Sequence, residues 1–230
     1  MKIALIGYGK MGHAIEDYAR QLGHTVACTI DKDDPWPERL EADVAVEFTT
    51  PQTAVENLRR CFERHIPVVC GTTGWYDQYE AVKAECLATE GRLLAATNFS
   101  LGMNIMFALN ERLAELMRGR DYRVSIAETH HIHKLDAPSG TALSLREQIV
   151  ANGQRPADSI PIASFREGEV PGTHTVVYDS EIDTLTLTHE AHSRVGLAQG
   201  AVIAAEWLAK AAPGVYTMKD LLEPHPQPLS

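Results

Sequence analysis

The chain has 230 residues, 44% hydrophobic and 23% charged, with a net charge of −10; this is ordinary for a globular protein of one large domain or two small ones, each able to bury a core. The acidic balance argues against a nucleic-acid binder, which presents a basic face, but it leaves room for an anionic small molecule held by a local cationic cluster. The opening MKIALIGYGKMG is too short in apolar residues for a signal peptide or a spanning helix, no later run reaches membrane length, and Cys28, Cys61, Cys70 and Cys86 form no CxxC pair, so a cytoplasmic protein with buried, reduced cysteines is expected.

KIALIG is a short apolar run that breaks at Gly7-Tyr8-Gly9-Lys10-Met11-Gly12, a GxGxxG pattern. Ile15, Tyr18, Ala19 and Leu22 then recur at helical spacing, Gly23 closes the helix, and HTVACTID reads as a second strand ending at Asp31. Strand, glycines, helix, strand and acid in that order describe a dinucleotide-binding start. Gly7 permits the tight turn, Gly9 lets a pyrophosphate approach the backbone, and Gly12 lets helix and strand pack closely. The helix N-terminus offers free N–H groups to the phosphates. Asp31 can bond the ribose hydroxyls and favours NAD, because a carboxylate repels a 2′-phosphate. Lys32 beside it can grip that phosphate, or be a plain surface lysine.

The alternation continues through ADVAVEFTT, a helical stripe at Ala54, Val55, Leu58, Cys61 and Phe62, the strand IPVVCGTTGW, a less periodic helix around Val82 and Cys86, and the strand RLLAATNFS. Such alternation predicts a parallel doubly wound sheet of Rossmann type. Ligands sit beyond the carboxyl ends of its strands. Phe48-Thr49, then Gly71-Thr72-Thr73, then Ala96-Thr97-Asn98-Phe99 occupy those ends and suit a ribose and a nicotinamide, although any one of them alone is ordinary turn chemistry.

NIMFALNERLAELM reads as a helix with Ile105, Leu109, Leu113 and Leu116 or Met117 as its buried stripe. YRVSIAETHH alternates as a strand with Val124, Ile126 and Glu128 on one face. A helix through Ala142, Leu145 and Ile149 follows, and at least three strand-like runs come after it, so this region is α+β with an open mixed sheet. AQGAVIAAEWLAKAA is a strong helix next to GVYTMKDLL, and the proline-rich EPHPQPLS is a loose tail.

ETHHIHKLDAPSGTAL concentrates the chemistry. His130, His131 and His133 with Asp136 offer metal ligands, yet adjacent histidines on an extended segment face opposite sides, which disfavours that reading and leads us to expect no metal. They also read as plain polar histidines at a strand end. A third reading is an anionic-substrate site. Lys134 is a point charge for a carboxylate, and Ser139-Gly140-Thr141 opens a helix whose hydroxyls and N–H groups can hold another. Histidine is suited to donate a proton near neutral pH. Asp136 reads as a helix cap or as a partner that orients Lys134, with the cap favoured.

THHIHKLDAPSGTAL resembles the signature of the dihydrodipicolinate reductase family, and GYGKMG, EFTTP, CGTTGW, ATNFSLGMN, HSRVGLAQGA and GVYTMKDLL match it in order and spacing over nearly the whole chain. The resemblance implies a dinucleotide-binding domain made of 1–99 and 194–230, and a substrate-binding and oligomerisation domain at 100–193. It implies reduction of 4-hydroxy-tetrahydrodipicolinate, a cyclic imine with two carboxylates, by NADH or NADPH with loss of water, on the route to diaminopimelate and lysine, in a homotetramer. It implies His130 as proton donor, Lys134 as the second catalytic residue, and substrate contacts at His131, Gly140 and Thr141, with Ser139 beside them. The GYGKMG loop is one residue shorter than the GxxGxxG of many members, and Asp31-Lys32 stands where some have Glu-Arg. Both departures bear on the choice of cofactor.

Overall fold

A computed structural model describes residues 1–193 and 195–223. Arg194 of the HSRVGLAQGA motif and the tail beyond Glu223 lie outside the described residues. The chain divides into two compact units, Met1–Leu101 with Val195–Ser230, and Gly102–Arg194.

The first unit holds β1 (Lys2–Ile6), α1 (Lys10–Gln21), β2 (Thr25–Ile30), β3 (Val44–Glu47), α2 (Pro51–Glu63), β4 (Val68–Cys70), α3 (Tyr79–Ala88) and β5 (Arg92–Ala95). The sheet is 6-stranded in the order β10-β5-β4-β3-β1-β2, and its sixth member, β10 (Gly214–Tyr216), arrives from the far end of the sequence. Every pairing is parallel. β1 lies between β2 and β3, so the connections diverge there and open a crevice at the strand ends. The segment between β2 and β3 carries Pro35, Pro37 and several acids and forms no strand. Trp36 instead packs its ring under the guanidinium groups of Arg60 and Arg64, at 5.3 and 5.5 Å from the centroid.

Two cores cover the sheet. On one face α2 buries Ala54, Val55, Leu58, Cys61 and Phe62, the stripe expected from spacing, while α3 adds only Val82 and Cys86. The other face packs against Ile15 and Ala19 of α1 and against α6 (Val195–Leu208). That helix is apolar and small-sided nearly all round, so Ala198, Ala201, Val202, Ala204, Ala205 and Leu208 are all buried. α7 (Met218–Leu222) finishes this unit. GVYTMKDLL thus supplies an edge strand and a short helix to the nucleotide-type sheet.

The second unit takes in most of α4 (Leu101–Leu116), then β6 (Arg123–His130), α5 (Gly140–Gly153), β7 (Ile162–Arg166), β8 (Gly172–Asp179) and β9 (Thr184–Ala191). Its sheet is 4-stranded in the order β7-β6-β8-β9. β6 and β7 are parallel and the other pairs antiparallel, a mixed sheet. Its core holds Val124, Ile126, Val176 and Tyr178 from the strands against Met103 and Met106 of α4 and Ala142, Leu145 and Ile149 of α5.

This packing corrects part of the stripe expected on α4. Leu113 packs against the core and Met117, just past the helix, is buried in it, as expected. The buried positions of the helix itself are Met103, Met106, Asn110 and Ala114, while Ile105, Leu109 and Leu116 are about half exposed. Asn110 can face inward because its amide donates to the Leu145 carbonyl at 3.1 Å and to Gln148 Oε1 at 2.9 Å. The helix therefore has two apolar faces, and the more obvious one points outward in the single chain.

Candidate active site

In the first unit the glycine loop connects β1 to α1. Gly7 adopts φ 91°, and a Cβ there would stand 1.9 Å from the Phe48 carbonyl oxygen. A Cβ on Gly12 would stand 2.5 Å from the Gly7 carbonyl, which fixes how closely α1 approaches β1. Gly9 is different: nothing lies within 4 Å of its added Cβ, so its backbone faces open space. Gly9 is also the N-cap of α1, with no side-chain cap and no acid in the first turn, which leaves the helix N–H groups available to an anion. Lys10 is exposed there, and Tyr8 donates its backbone N–H to Asp31 Oδ1 at 3.3 Å. Asp31 and Lys32, at the end of β2, are both exposed.

A cleft of about 280 Å³ opens at the ends of β3 and β4, lined by Met11, Phe48, Thr49, Pro51, Gly71, Thr72 and Thr73. It gathers Met11, Phe48, Thr49 and Gly71-Thr72-Thr73 from the expected residues and adds Pro51. Ala96, Thr97 and Asn98 follow β5 and are not among its lining residues. The Phe99 side chain is buried in the core, 5.7 Å from the Phe48 ring. Beneath the cleft Glu47 is fully buried. It takes the Thr49 hydroxyl, the Asn57 amide at 3.4 Å and the Cys70 thiol at 3.1 Å. The Cys70 thiol is pushed well up by burial and then by Glu47, so it stays protonated.

In the second unit the inward face of the sheet changes character toward one end. Along β6 the inward residues run Val124, Ile126, Glu128, His130, and along β8 they run Tyr178, Val176, His174. Register places Glu128 opposite His174, and His174 opposite His189 of β9. The apolar core thus ends in a buried polar row. The Glu128 carboxylate meets His130 Nδ1 with one oxygen. With the other it accepts the Ser139 backbone N–H at 3.3 Å and both terminal nitrogens of Arg166 at 3.1 Å. Ser139 caps α5, accepting the Ala142 N–H at 3.2 Å, and its hydroxyl also meets His174 Nε2 at 3.2 Å. Gly140 is exposed and a Cβ on it would meet nothing within 4 Å, while Thr141 is partly buried. The Ala137–Pro138 peptide bond is cis.

Lys134 binds both oxygens of Asp136 at 2.8 Å. This corrects the helix cap expected of Asp136: the ammonium is closer, and Ser139 occupies the cap. Arg166 reaches back to the carbonyls of Lys134 at 3.2 Å and Asp136 at 2.6 Å, pinning that loop. His133 is exposed and pairs with Glu169 at 3.1 Å, and the His131 ring lies 6.0 Å from it.

The charges follow from burial and neighbours. Burial pulls His130 below its ordinary imidazole value, and the Glu128 charge opposes that pull. His174 is taken down to about 4 by burial and by the neighbouring His130, so it is neutral at physiological pH. Burial works to raise Glu128, but hydrogen bonds from Ser164 and Arg166 and the charge of His130 outweigh it, and the carboxyl stays ionised. The Lys134 ammonium holds Asp136 below the usual carboxylate range.

Glu128, His130 and His174 bring one ligand atom each within 4.8 Å of one another. This is the metal-capable set among the described residues, and it shares only His130 with the HHxH-plus-Asp136 set offered by the sequence. Arg166 already engages Glu128, which disfavours a second cation there.

Residues 1–99 match the dihydrodipicolinate reductase N-terminus and residues 102–222 its C-terminus. The chain belongs to the dihydrodipicolinate reductase family. A curated 4-hydroxy-tetrahydrodipicolinate reductase of Christiangramia forsetii is 45% identical over 96% of this chain and 98% of its own. One from Akkermansia muciniphila is 36% identical over 93% and 94%. The fold is similar to dipicolinate-bound dihydrodipicolinate reductase from Paenisporosarcina sp. TG-14, with TM-score 0.82, 22% identity and 96% and 99% coverage. Membership makes the chain an oxidoreductase. The reductase's C-terminal sequence segment contains both the second unit and α6, β10 and α7 of the first.

Glu128, Arg166 and His174 are the residues that reading the sequence missed. The signal for Glu128 was present, since it follows Val124 and Ile126 on the inward face of a strand. Arg166 and His174 reach the site only through the pairings of His130 with Arg166 and Glu128 with His174.

Proposed function

We propose that the chain reduces 4-hydroxy-tetrahydrodipicolinate to tetrahydrodipicolinate with loss of water, as a step in diaminopimelate and lysine biosynthesis. The first unit (Met1–Leu101 with Val195–Ser230) holds NADH or NADPH, and the second (Gly102–Arg194) holds the substrate. The observation that carries this reading is the clustering around one buried carboxylate of a histidine, an ammonium-bearing loop and a helix N-terminus. That set fits a small molecule with two carboxylates and a basic nitrogen.

A bound reduced nicotinamide supplies the hydride. Gly7 to Gly12 and the start of α1 hold its pyrophosphate, Asp31 and Lys32 meet its adenosine ribose, and Phe48, Gly71 to Thr73 and Ala96 to Phe99 border its nicotinamide end. The Gly9 backbone and the uncapped α1 terminus fit the phosphates without a counter-charge. On the substrate side, Lys134 and the N–H groups at Gly140 and Thr141 grip the carboxylates, with His131 and the Ser139 corner beside them. Loss of water conjugates the ring imine with a carbon–carbon double bond. Negative charge builds on the substrate as hydride adds, and Lys134 and the helix N–H groups stabilise it. His130 delivers the proton, and Asp136 steadies Lys134 for its task.

The proposed reaction runs without a metal, and metal analysis of untagged protein tests that. The half-exposed Ile105, Leu109 and Leu116 along one face of α4 support association between copies of the chain, and the family resemblance makes that assembly a homotetramer. Light scattering after gel filtration decides it. The described residues contain no helix long and apolar enough to cross a membrane, and the cysteines are free. These features and the acidic balance support a cytoplasmic enzyme without a nucleic-acid or membrane partner. Oxidation of NADH and NADPH with freshly generated substrate is the test of the whole reading. Turnover with either supports it, and failure with both in folded, nucleotide-binding protein rejects it.

A further inference from the structure

We propose that Glu128 is a positioning residue, one buried carboxylate that fixes the ring of His130 with one oxygen and the start of α5 with the other, with Arg166 as its counter-ion. This rests on the proposed role of His130 as proton donor. Glu128 is 1% exposed, on a strand whose alternation turns its side chain into the core. An ionised carboxylate in that place needs a full set of partners, because an unpaired buried charge is strongly destabilising. One oxygen is hydrogen-bonded by Ser139 and Arg166 and the other lies against His130, and each contact leads to a different part of the site. His130 Nδ1 lies against one oxygen as an ion-pair contact, so the ring is held with that edge on the carboxylate and Nε2 at the opposite edge. The Ser139 N–H contacts the other, which locks the corner before the exposed Gly140. Arg166 shares that second oxygen and spends its remaining donors on the carbonyls of Lys134, Phe165 and Asp136. Proton donor, anion nest and lysine loop are thus registered to one carboxylate.

The electrostatics around His130 point the same way. Lys134 and Arg166 both disfavour a proton on it, as does its burial. His174 across the strand is neutral and carries no negative charge. Glu128 is the carboxylate that opposes them among the described residues.

The experiment is an NMR titration of the His130 ring in the wild type and in Glu128→Gln. The amide side chain has the same shape and still accepts from Ser139 and Arg166, but it removes the charge facing His130. The His130 midpoint is expected to fall by about one pH unit, a tenfold weakening of proton binding. The alkaline limb of kcat/KM should move down with it, while KM stays within about threefold of wild type. A midpoint and limb that stay in place overturn the proposal and reduce Glu128 to a support of the fold. If Glu128→Gln shows no cooperative thermal transition, Glu128→Asp carries the test. It keeps the charge and draws it back by one methylene. A kcat at least about tenfold lower, with a cooperative transition, supports positioning, and a wild-type kcat overturns it. The titration does not depend on turnover, so a wild-type chain inactive on the proposed substrate would sink the function reading and leave this result readable.

Discussion

In the proposed reading the two units hold an anion by different means. In the first, the binding elements are mostly backbone: a glycine whose neighbours leave it open, a helix start without a side-chain cap, and strand ends bearing threonines. In the second, ionised side chains arranged around a buried carboxylate act together with the start of α5. A pyrophosphate keeps its charge throughout a reaction, so fixed N–H dipoles suffice for it. A substrate that gains a proton and changes charge needs groups whose own protonation can follow, and these have to be buried and paired to be tuned.

The largest expected effect falls in the second unit. His130→Ala and Lys134→Ala should each cut turnover by roughly 10²-fold or more, with the fold intact. Steady-state kinetics on both purified variants checks this, and near-normal rates in both would remove the catalytic half of the contrast. Next comes stability against pH. The folded value of His174 is about 4, below the ordinary 6.5, so the unfolded chain takes up the proton first as pH falls. Its contribution is complete above pH 6.5 and is lost progressively as pH falls toward 4, about 3 kcal/mol across that window. Thermal melting of wild type against His174→Gln should show a shallower decline in the variant; parallel curves would mean that this histidine is not the group responsible.

In the first unit, Gly9→Ala should leave the melting temperature within about 2 °C, because its Cβ meets nothing, and yet weaken nucleotide binding by roughly tenfold, about 1.4 kcal/mol. Calorimetric titration with NADH and NADPH separates the two effects, and unchanged affinity would place the pyrophosphate elsewhere. The smallest effect belongs to Asp31. Asp31→Ser should move the NADPH-to-NADH preference by about fivefold toward NADPH, since the carboxylate that opposes a 2′-phosphate is removed while Lys32 stays. Competition kinetics at matched concentrations reads the ratio.

What the sequence revealed follows the same division. The glycine loop was legible because it is local: strand, turn and helix succeed one another within a short span, and each glycine has a steric reason. His130 to Thr141 was legible for the same reason. Glu128, His174 and Arg166 were not, because only the register of β6 with β8 and β7 brings them together, and strand pairing across distant segments leaves no local mark. Ile105 and Leu109 of α4 lie outward, against expectation, because a helix with two apolar sides gives periodicity no means of choosing between them. Here the buried side includes Asn110, whose partners on α5 are visible only in three dimensions. Asp136 was misassigned to the cap because a nearby acid before a helix usually serves there, and Lys134 claimed it first.

The return of α6, β10 and α7 to the first unit bears on the order in which the molecule is made. The second unit is one unbroken stretch of chain and can close its core while the ribosome is still working. The first cannot. Its edge strand and the helix that shares one face of its sheet with α1 follow the second unit along the chain, so part of that face stays uncovered until they have been made. A message cut short after β9 would therefore yield a complete histidine-bearing unit attached to a sheet that lacks an edge strand and half the cover of one face, a product for chaperones and proteases to sort and not a half-active enzyme.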